Sequence, residues 1–314
     1  MNVVITGASG FIGSALGNAL QNTDGVDGVV GLVRNPKDEL RFPTKAIGKL
    51  FENGECPGCF QGSDVVIHLA GLAHVSTGFS SDPLTEFRRV NVAGTLNVAK
   101  AAFAAGVRRF IFVSSIGVNG ELNTAPFTEN DQPNPSNAYS QSKWEAEQEL
   151  FDIASSSGME VVIIRPPLVY GPNAPGKFGS LVKWVGRGVP LPLGATDNKR
   201  SLVALDNLVD LILTCIDHPA APNQVFLAGD GEDISTTQLL RSIGRAMGKP
   251  TWLIPVPMGM LMFGARLLGK TGVAQSLLGS LQVDISKARN VLGWEPPISV
   301  EEGLRRCFDL ENVI

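Results

Sequence analysis

A glycine-rich loop between a strand and a helix is the feature that most constrains how this chain can fold. The apolar run Val3–Thr6 predicts a strand that leads directly into Gly7–Gly13, with glycines at the first, fourth and seventh positions, and a helix is predicted from Phe11 to Gln21. Glycines at this spacing let the backbone approach a pyrophosphate, and the free N–H groups of a helix N-terminus attract anions. The pattern predicts a dinucleotide site; a glycine-rich turn in another kind of α/β protein is the alternative.

The first half of the chain alternates short apolar strands with helices. The further elements predicted here are strands at Val29–Val33, Asp64–Leu69, Arg109–Ser114 and Val161–Arg165 and helices at Glu86–Gly106 and Tyr139–Ser155. Short apolar strands separated by helices are typical of a parallel sheet covered on both faces. We therefore predict an α/β fold with a Rossmann-like, doubly wound parallel sheet.

The character of the chain changes beyond Pro172, where glycine and proline become frequent and the alternation loosens. We predict a dinucleotide-binding domain over residues 1–171, to which a segment at about 201–228 returns. A smaller, mostly helical substrate-binding domain is predicted over residues 172–314. It would lie over the carboxyl edge of the sheet, where open α/β folds bind ligands.

Composition excludes several classes of protein. The 314 residues carry a formal net charge of −4, which gives no general affinity for nucleic acid. The chain opens on a strand-like run without a basic leader, and no apolar stretch reaches the ~20 residues of a membrane span, so a cytoplasmic protein without stable membrane insertion is expected. Cys56 and Cys59 have the spacing of a pair of zinc ligands, but the sequence offers no second pair, so no metal is expected.

The residue after the second strand bears on the choice of cofactor. A site for NAD(H) usually has an acid near this point to bind the ribose 2′-hydroxyl, whereas the chain has Arg34, with Lys37 nearby. A guanidinium suits a 2′-phosphate. NADP(H) is therefore favoured, with NAD(H) possible, since an exposed arginine without a ligand would give the same pattern.

A second signal is formed by Ser115, Tyr139 and Lys143. Residues four apart share one helix face, so Tyr139 and Lys143 can point into one site. A nearby ammonium lowers the pKa of a phenol, which can then exchange a proton with a substrate hydroxyl or carbonyl. A serine hydroxyl at the end of a strand can position the same oxygen.

Together these motifs resemble the extended short-chain dehydrogenase/reductases of the nucleotide-sugar epimerase/dehydratase group, and the resemblance covers nearly the whole chain. The matching segments are Gly7–Gly13, His68–Gly71, Asn91–Thr95, Ser114-Ser115, Tyr139 with Lys143, Arg165–Pro172, Lys199–Ser201 and Leu292–Trp294.

The resemblance implies a role for each matching residue. Ser115 would position the carbonyl, Tyr139 would act as acid and base, and Lys143 would bind the cofactor ribose. The residues that would bind the cofactor are Gly7, Ser9, Gly10, Phe11, Ile12, Gly13, Arg34, Leu69, Ala70, Gly71, Asn91, Tyr139, Lys143 and Pro166. The substrate would contact His74, Ser115 and Arg200, with the Arg200 fork holding a nucleotide diphosphate.

The resemblance further implies oxidoreductase chemistry at C4 of a UDP-sugar in bacterial surface-polysaccharide synthesis. The leading hypothesis is a UDP-4-keto-6-deoxy-N-acetylhexosamine 4-reductase. It rests on the missing acid at Arg34, on Leu168 where 4-epimerases carry Asn, and on Leu281, which leaves space for an N-acetyl group. The alternatives are a UDP-glucose or UDP-N-acetylglucosamine 4-epimerase, a hydroxysteroid-type dehydrogenase, and a non-catalytic NADP-binding sensor.

Two surface expectations complete the sequence-based picture. A homodimer through the long helices Glu86–Gly106 and Tyr139–Ser155 is implied by the resemblance. The apolar helix Gly259–Leu268 is expected to pack within the smaller domain, and contact with a membrane-bound sugar transferase is the alternative.

Overall fold

A seven-stranded parallel sheet organises the molecule, whose computed structural model describes residues 1–35, 40–48, 58–73 and 82–309. The strands in chain order are β1 (Asn2–Thr6), β2 (Gly28–Val33), β3 (Thr44–Ala46), β4 (Val65–His68), β5 (Arg109–Val113), β6 (Glu160–Arg165), β7 (Leu168–Tyr170), β8 (Arg200–Ala204), β9 (Gln224–Leu227) and β10 (Asp233–Ile234). The spatial order of the large sheet is β3-β2-β1-β4-β5-β6-β9, and all its pairs are parallel. The strand order reverses between β1 and β4, and ligands bind at such a switch point in open α/β sheets. The predicted doubly wound sheet is confirmed.

Helices cover both faces of this sheet, and further helices pack in the C-terminal part. In chain order the helices are α1 (Phe11–Leu20), α2 (Pro83–Phe87), α3 (Gly94–Ala104), α4 (Ala138–Ser157), α5 (Gly176–Gly186), α6 (Leu205–Asp217), α7 (Thr236–Ala246), α8 (Met258–Leu267), α9 (Thr271–Leu278), α10 (Ser286–Leu292) and α11 (Val300–Arg306). The alternation of side chains along each strand divides the core. Val3 and Ile5 of β1 pack with α1 and α6, whereas Val4 packs on the opposite face with α3 and α4.

The long helix predicted at Glu86–Gly106 differs from the expectation in its centre. A π-helical segment, Arg88–Ala93, joins α2 to α3, so the helix is continuous but locally wider. Such insertions are rare and occur frequently at functional sites because they re-aim one side chain. In this π-helical segment the buried side chain is that of Asn91.

The C-terminal part holds a second, smaller core. β7 pairs in parallel with β8, β10 pairs antiparallel with β8, and α5, α7 and α11 pack on this sheet. β7 and α5 were not predicted, because prolines at 166, 167, 172 and 175 favour loops. In the structure Pro175 instead occupies the N-cap position of α5, where a missing N–H costs nothing.

The α8 helix meets one expectation only in part. Its Leu261 and Met262 side chains pack against the smaller core, as predicted, but none of its residues is fully buried. Within the described part of the chain, no helix combines the length and apolarity that a membrane span requires.

Candidate active site

The loop Gly7–Gly13 has the geometry that close approach of a pyrophosphate requires. Gly7 has φ 69°, and a methyl group placed on it would lie 2.7 Å from the Ala70 nitrogen. One on Gly13 would lie 2.4 Å from the Gly7 carbonyl oxygen, so these positions exclude any side chain. Gly10 is the N-cap of α1 and supplies no side-chain cap, which leaves the first-turn N–H groups open to an anion. These residues fit a dinucleotide.

A cleft of about 610 Å³ continues from this loop along the carboxyl ends of β2 and β4. The predicted cofactor residues that line it are Gly7, Ser9, Gly10, Arg34, Leu69, Ala70 and Gly71. The predicted residues outside its lining are Phe11, Ile12, Gly13, Asn91, Tyr139, Lys143 and Pro166. Lys143 nevertheless adjoins the cleft, because a methyl group on Gly71 would lie 3.6 Å from the Lys143 Nζ.

Arg34 lies in the wall of this cleft, directly after β2. It is exposed, and it forms no ion pair with any carboxylate in the described ranges. The next residue, Asn35, also lines the cleft and carries no charge. This end of the cleft therefore offers a guanidinium where a carboxylate would suit a ribose 2′-hydroxyl.

The end of β5 and the start of α4 bring Ser115, Tyr139 and Lys143 together. The Asn137 side chain caps α4 by accepting a 2.9 Å hydrogen bond from the Ser140 N–H, which fixes Tyr139 in the first turn. Ser115 lies just beyond β5; its hydroxyl accepts from the Gly117 N–H at 3.1 Å and is hydrogen-bonded to Tyr139. The predicted grouping of the three side chains thus has a local structural basis in a helix cap and a strand end.

The electrostatics of this group differ from the sequence-based argument in one respect. Burial raises the pKa of Tyr139 to about 12, and only the hydrogen bond with Ser115 opposes this. Burial lowers the pKa of Lys143 to about 8, partly offset by the charge of Glu147. The Lys143 Nζ donates to the Val113 carbonyl at 2.9 Å and lies 4.3 Å from the centre of the Phe112 ring. The phenol of Tyr139 is therefore held protonated at neutral pH, which suits a proton donor.

Asn91 acts on the backbone beside the cleft. Its Oδ1 accepts from the Leu72 N–H at 2.7 Å, and its Nδ2 donates to the Leu72 carbonyl and to the Ser142 hydroxyl, each at 3.0 Å. These bonds use both N–H groups of the amide and its oxygen. Asn91 thus ties the end of the cleft wall to α4 and positions Gly71 against Lys143.

His68 is buried between two threonines at the end of β4. Its Nδ1 lies 2.7 Å from the Thr6 hydroxyl, and its Nε2 lies 3.0 Å from the Thr95 hydroxyl. Burial first, and then the charge of Lys143, lowers its pKa from 6.5 to about 3. His68 is therefore a neutral structural link between β1, β4 and α3.

Replacing His68 by Gln is expected to reduce the acid sensitivity of the fold. The unfolded chain binds a proton below about pH 6.5 that the folded chain refuses down to about pH 3, so His68 destabilises the fold progressively across that interval as the pH falls. Urea unfolding at pH 7, 5 and 4 measures this. As the pH is lowered from 7 to 4, the free energy of unfolding should fall less in His68→Gln than in wild type or in the control His218→Gln. Equal slopes would contradict the conclusion that His68 stays neutral in the folded chain.

A buried ion pair beneath the site was not anticipated from the sequence. Arg165 donates to Glu147 from Nε at 3.0 Å and from Nη2 at 2.5 Å, and its Nη1 donates to the Asn119 Oδ1 at 2.8 Å. Both charged side chains are almost fully inaccessible. Glu147 lies one helical turn beyond Lys143, and this spacing is the signal that could have identified it.

On the substrate side, Arg200 begins β8 and is half-buried against the end of α9. Its Nη1 donates to the carbonyls of Ser276 and Gly279 at 3.0 and 3.1 Å, and burial lowers its pKa. Lys177 is close enough that, after burial, the charge of Arg200 lowers its pKa too. The charge of Glu121 acts on the Lys177 pKa in the opposite direction. Neither cation forms an ion pair with a described carboxylate, and two such cations are suited to an anion. His74, also predicted to contact substrate, lies outside the described residues.

The structure adds little about Leu281 and about the Cys56 and Cys59 spacing. Leu281 is buried with Ile116 and Leu227, so packing alone accounts for a leucine there. Cys56 lies outside the described residues. Within the described ranges, no three side chains of the metal-binding types cluster together.

The sheet, the open phosphate loop and the Ser–Tyr–Lys group define a nicotinamide-dinucleotide enzyme of the Rossmann class. Residues 3–229 match the NAD dependent epimerase/dehydratase family. A Vibrio cholerae UDP-glucose 4-epimerase is 45% identical over 310 residues, which cover 97% of this chain and 94% of that protein. The N-acetyl-alpha-D-glucosaminyl-diphospho-ditrans,octacis-undecaprenol 4-epimerase of Escherichia coli O157:H7 is 28% identical, covering 99% of this chain and 96% of that protein.

A solved structure of a related enzyme has the same fold. The UDP-glucose 4-epimerase of Thermotoga maritima, crystallised with UDP-glucose, superimposes with a TM-score of 0.78 at 26% identity, covering 98% of this chain and 97% of that one. The chain belongs to the NAD dependent epimerase/dehydratase family and is an NAD(P)-dependent enzyme of the extended short-chain dehydrogenase type. The family resemblance stated from the sequence is confirmed.

Proposed function

We propose that this protein is an NADP(H)-dependent oxidoreductase acting at C4 of a UDP-sugar, with a UDP-4-keto-6-deoxy-N-acetylhexosamine as the substrate that it reduces. The observation that carries the reductive direction is Arg34, exposed in the cofactor cleft at the position where a carboxylate would favour NAD(H). A protein that binds NADPH and releases NADP⁺ in every turnover is a reductase rather than an enzyme that recycles one cofactor.

Support for a UDP-sugar comes from the relatives and from the charges near the site. The Vibrio cholerae relative is a UDP-glucose 4-epimerase, and the Thermotoga maritima structure contains UDP-glucose. Arg200 and Lys177 supply two positive charges in the C-terminal part of this chain. A diphosphate would accept hydrogen bonds from the free side of the Arg200 fork. A steroid has no group for these cations, which disfavours the hydroxysteroid alternative.

The positions of the site residues support a role for each of them in this reaction. A nicotinamide dinucleotide, when bound, would supply the hydride for C4. Ser115 donates a hydrogen bond to the C4 oxygen, and Tyr139 donates its phenolic proton to the same oxygen as negative charge develops there. The raised pKa of Tyr139 keeps that proton available at neutral pH. Lys143 holds a positive charge at the edge of the cleft and would bind the cofactor ribose.

The second candidate is a 4-epimerase that oxidises and then reduces C4 with one retained NAD. The 45% identity to the Vibrio cholerae protein favours it. In that reaction Tyr139 removes a proton before it returns one. The presence of both Tyr139 and Lys143 argues against the remaining alternative, a non-catalytic sensor.

The first experiment is a calorimetric titration of the purified protein with NADPH and with NADH. We expect NADPH to bind about tenfold or more tightly, and Arg34→Ala to remove most of this preference, since one bidentate charged contact is worth roughly 1.5–3 kcal/mol. Arg41→Ala is the matched control, because Arg41 is exposed beyond β2 but does not line the cleft.

The outcomes separate the two candidates. An NADPH preference that depends on Arg34, with one NADPH consumed for each ketosugar reduced, supports the reductase. Copurified NAD, or tight NADH binding that Arg34→Ala leaves unchanged, would overturn the reductase in favour of the epimerase.

Two structural expectations belong to the same proposal. The large sheet would hold the cofactor and residues 172–314 would hold most of the substrate. β9 returns to the large sheet, whereas β8 lies in the smaller one. A homodimer would form through α2, α3 and α4. These helices lie side by side on one face, where Arg88 pairs with Glu145 and Phe103 remains exposed.

A further inference from the structure

The outer face of α8 is apolar although it faces solvent. Met260, Phe263 and Leu267 are 66%, 65% and 73% exposed, and their spacing of three and four residues puts them on one side of the helix. The opposite side, with Leu261 and Met262, packs against the smaller core. A surface helix normally carries polar residues on its solvent-facing side. In α8 that side is apolar, and the fold does not cover it.

Further exposed apolar residues flank the helix along the chain. Trp252 and Ile254 precede the helix and are 61% and 50% exposed; Leu268 and Val273 follow it and are 74% and 56% exposed. We call these four residues together with Met260, Phe263 and Leu267 the α8 face. Single exposed apolar side chains are ordinary, but seven within 22 residues of chain mark an interaction site.

The segment of chain that contains the α8 face carries charge of one sign. The stretch from residue 234 to residue 283 contains five Lys and Arg residues and no Asp or Glu, although the whole chain has a formal net charge of −4. Two of these cations, Arg266 and Lys270, flank the exposed Leu267 and Leu268 and form no ion pair with a described carboxylate. The partner of such a surface is both apolar and anionic.

We propose that the α8 face docks on the surface of an anionic lipid bilayer. A ten-residue helix is too short to span a membrane but long enough to lie in the interface with its apolar side chains among the acyl chains. Exposed tryptophan and phenylalanine, with Arg266 and Lys270 at the helix end, suit the headgroup region. A protein partner would be expected to meet charges of both signs, and this stretch offers only positive ones.

The docking surface is continuous with the substrate side of the candidate site. The carbonyls of Ser276 and Gly279 at the end of α9 accept hydrogen bonds from the Arg200 guanidinium, and α9 packs on α8. Docking would therefore hold Arg200 close to the bilayer. The inference goes beyond the proposed reaction and does not depend on it, because binding to vesicles is measured without turnover.

The test is flotation of the full chain with vesicles of phosphatidylcholine, with or without phosphatidylglycerol. We expect binding to the anionic vesicles and a loss of about tenfold or more in the triple variant Met260→Ser, Phe263→Ser, Leu267→Ser, because each side chain gives up buried apolar area. Val291→Ser, which removes an exposed apolar side chain from α10, is the matched control and should bind as wild type does. Arg266→Gln with Lys270→Gln should weaken binding to anionic vesicles several-fold, whereas Lys45→Gln on β3, which removes an exposed lysine, should not.

A second measurement uses the wild-type chain alone. Nitroxide-labelled lipid in anionic vesicles should quench the fluorescence of Trp252, and Trp252→Phe should remove the quenched component. Absence of both flotation and quenching in wild type would overturn the proposal, as would unchanged binding by the folded triple variant. A wild-type chain that associates with another protein but not with vesicles would also overturn it.

Discussion

Replacement of Tyr139 by Phe is expected to lower kcat for the C4 reaction by roughly a hundredfold to ten-thousandfold, the usual size of a lost general acid. Only the phenolic oxygen is removed, and the ring keeps its edge contact with Phe87, at a centroid distance of 6.0 Å. Cofactor affinity and thermal stability should therefore change little. Steady-state kinetics together with a cofactor titration measure the two effects separately.

The chain supplies a matched control for this variant, since it has only one other tyrosine, Tyr170. The hydroxyl of Tyr170 is buried and donates to Asp230 at 2.9 Å. Tyr170→Phe should therefore destabilise the smaller core while leaving the turnover of the folded protein close to wild type. A folded Tyr139→Phe that retains more than about a tenth of the activity would exclude Tyr139 as the proton donor.

The pH dependence of the reductive reaction should reflect two pKa values. Tyr139 remains protonated up to about pH 12, so its own ionisation leaves the neutral range flat. Lys143, with a pKa lowered to about 8, loses its positive charge above that pH. The rate should therefore fall from about pH 8 upward.

Glu147→Gln is expected to destabilise the fold by about 3–5 kcal/mol, because it leaves the Arg165 guanidinium buried without its counter-charge. The pair is 3% and 0% exposed, so water cannot replace the lost carboxylate. Urea unfolding measures this loss. The same variant removes the negative charge that raises the pKa of Lys143, so the high-pH limb of activity should move to lower pH.

The control is Glu145→Gln on the same helix. Arg88 binds Glu145 with two hydrogen bonds, at 2.6 and 2.8 Å, but the guanidinium side chain is 50% exposed. An exposed ion pair contributes about 0–1 kcal/mol, so the free energy of unfolding of this variant should be close to that of wild type. Equal losses in both variants would show that burial does not set the strength of the Glu147 pair. An unshifted pH limb in Glu147→Gln would restrict Glu147 to a structural role.

Predictions from the sequence succeeded where a short segment determines its own conformation. Gly7–Gly13 needs positive φ and empty space at fixed positions, and only glycine meets these demands, so the loop was recognisable. The helix that carries Tyr139 and Lys143 was recognisable from its composition, and the structure adds the Asn137 cap that starts it. The apolar strands predicted the sheet, whose alternating faces follow from chain geometry.

The tertiary structure decided what depends on residues far apart in the chain. Burial is a property of the surroundings, so the raised pKa of Tyr139 and the neutral state of His68 could not be derived from spacing. Arg165 meets Glu147 only because β6 lies beneath α4. The sequence by itself determined the fold class, the phosphate loop and the placement of Tyr139 and Lys143 on one helix face, because local backbone and helix geometry encode them. Only the assembled fold fixed the charge states in the site and left one face of α8 apolar and uncovered, because these depend on which surfaces the other elements occupy.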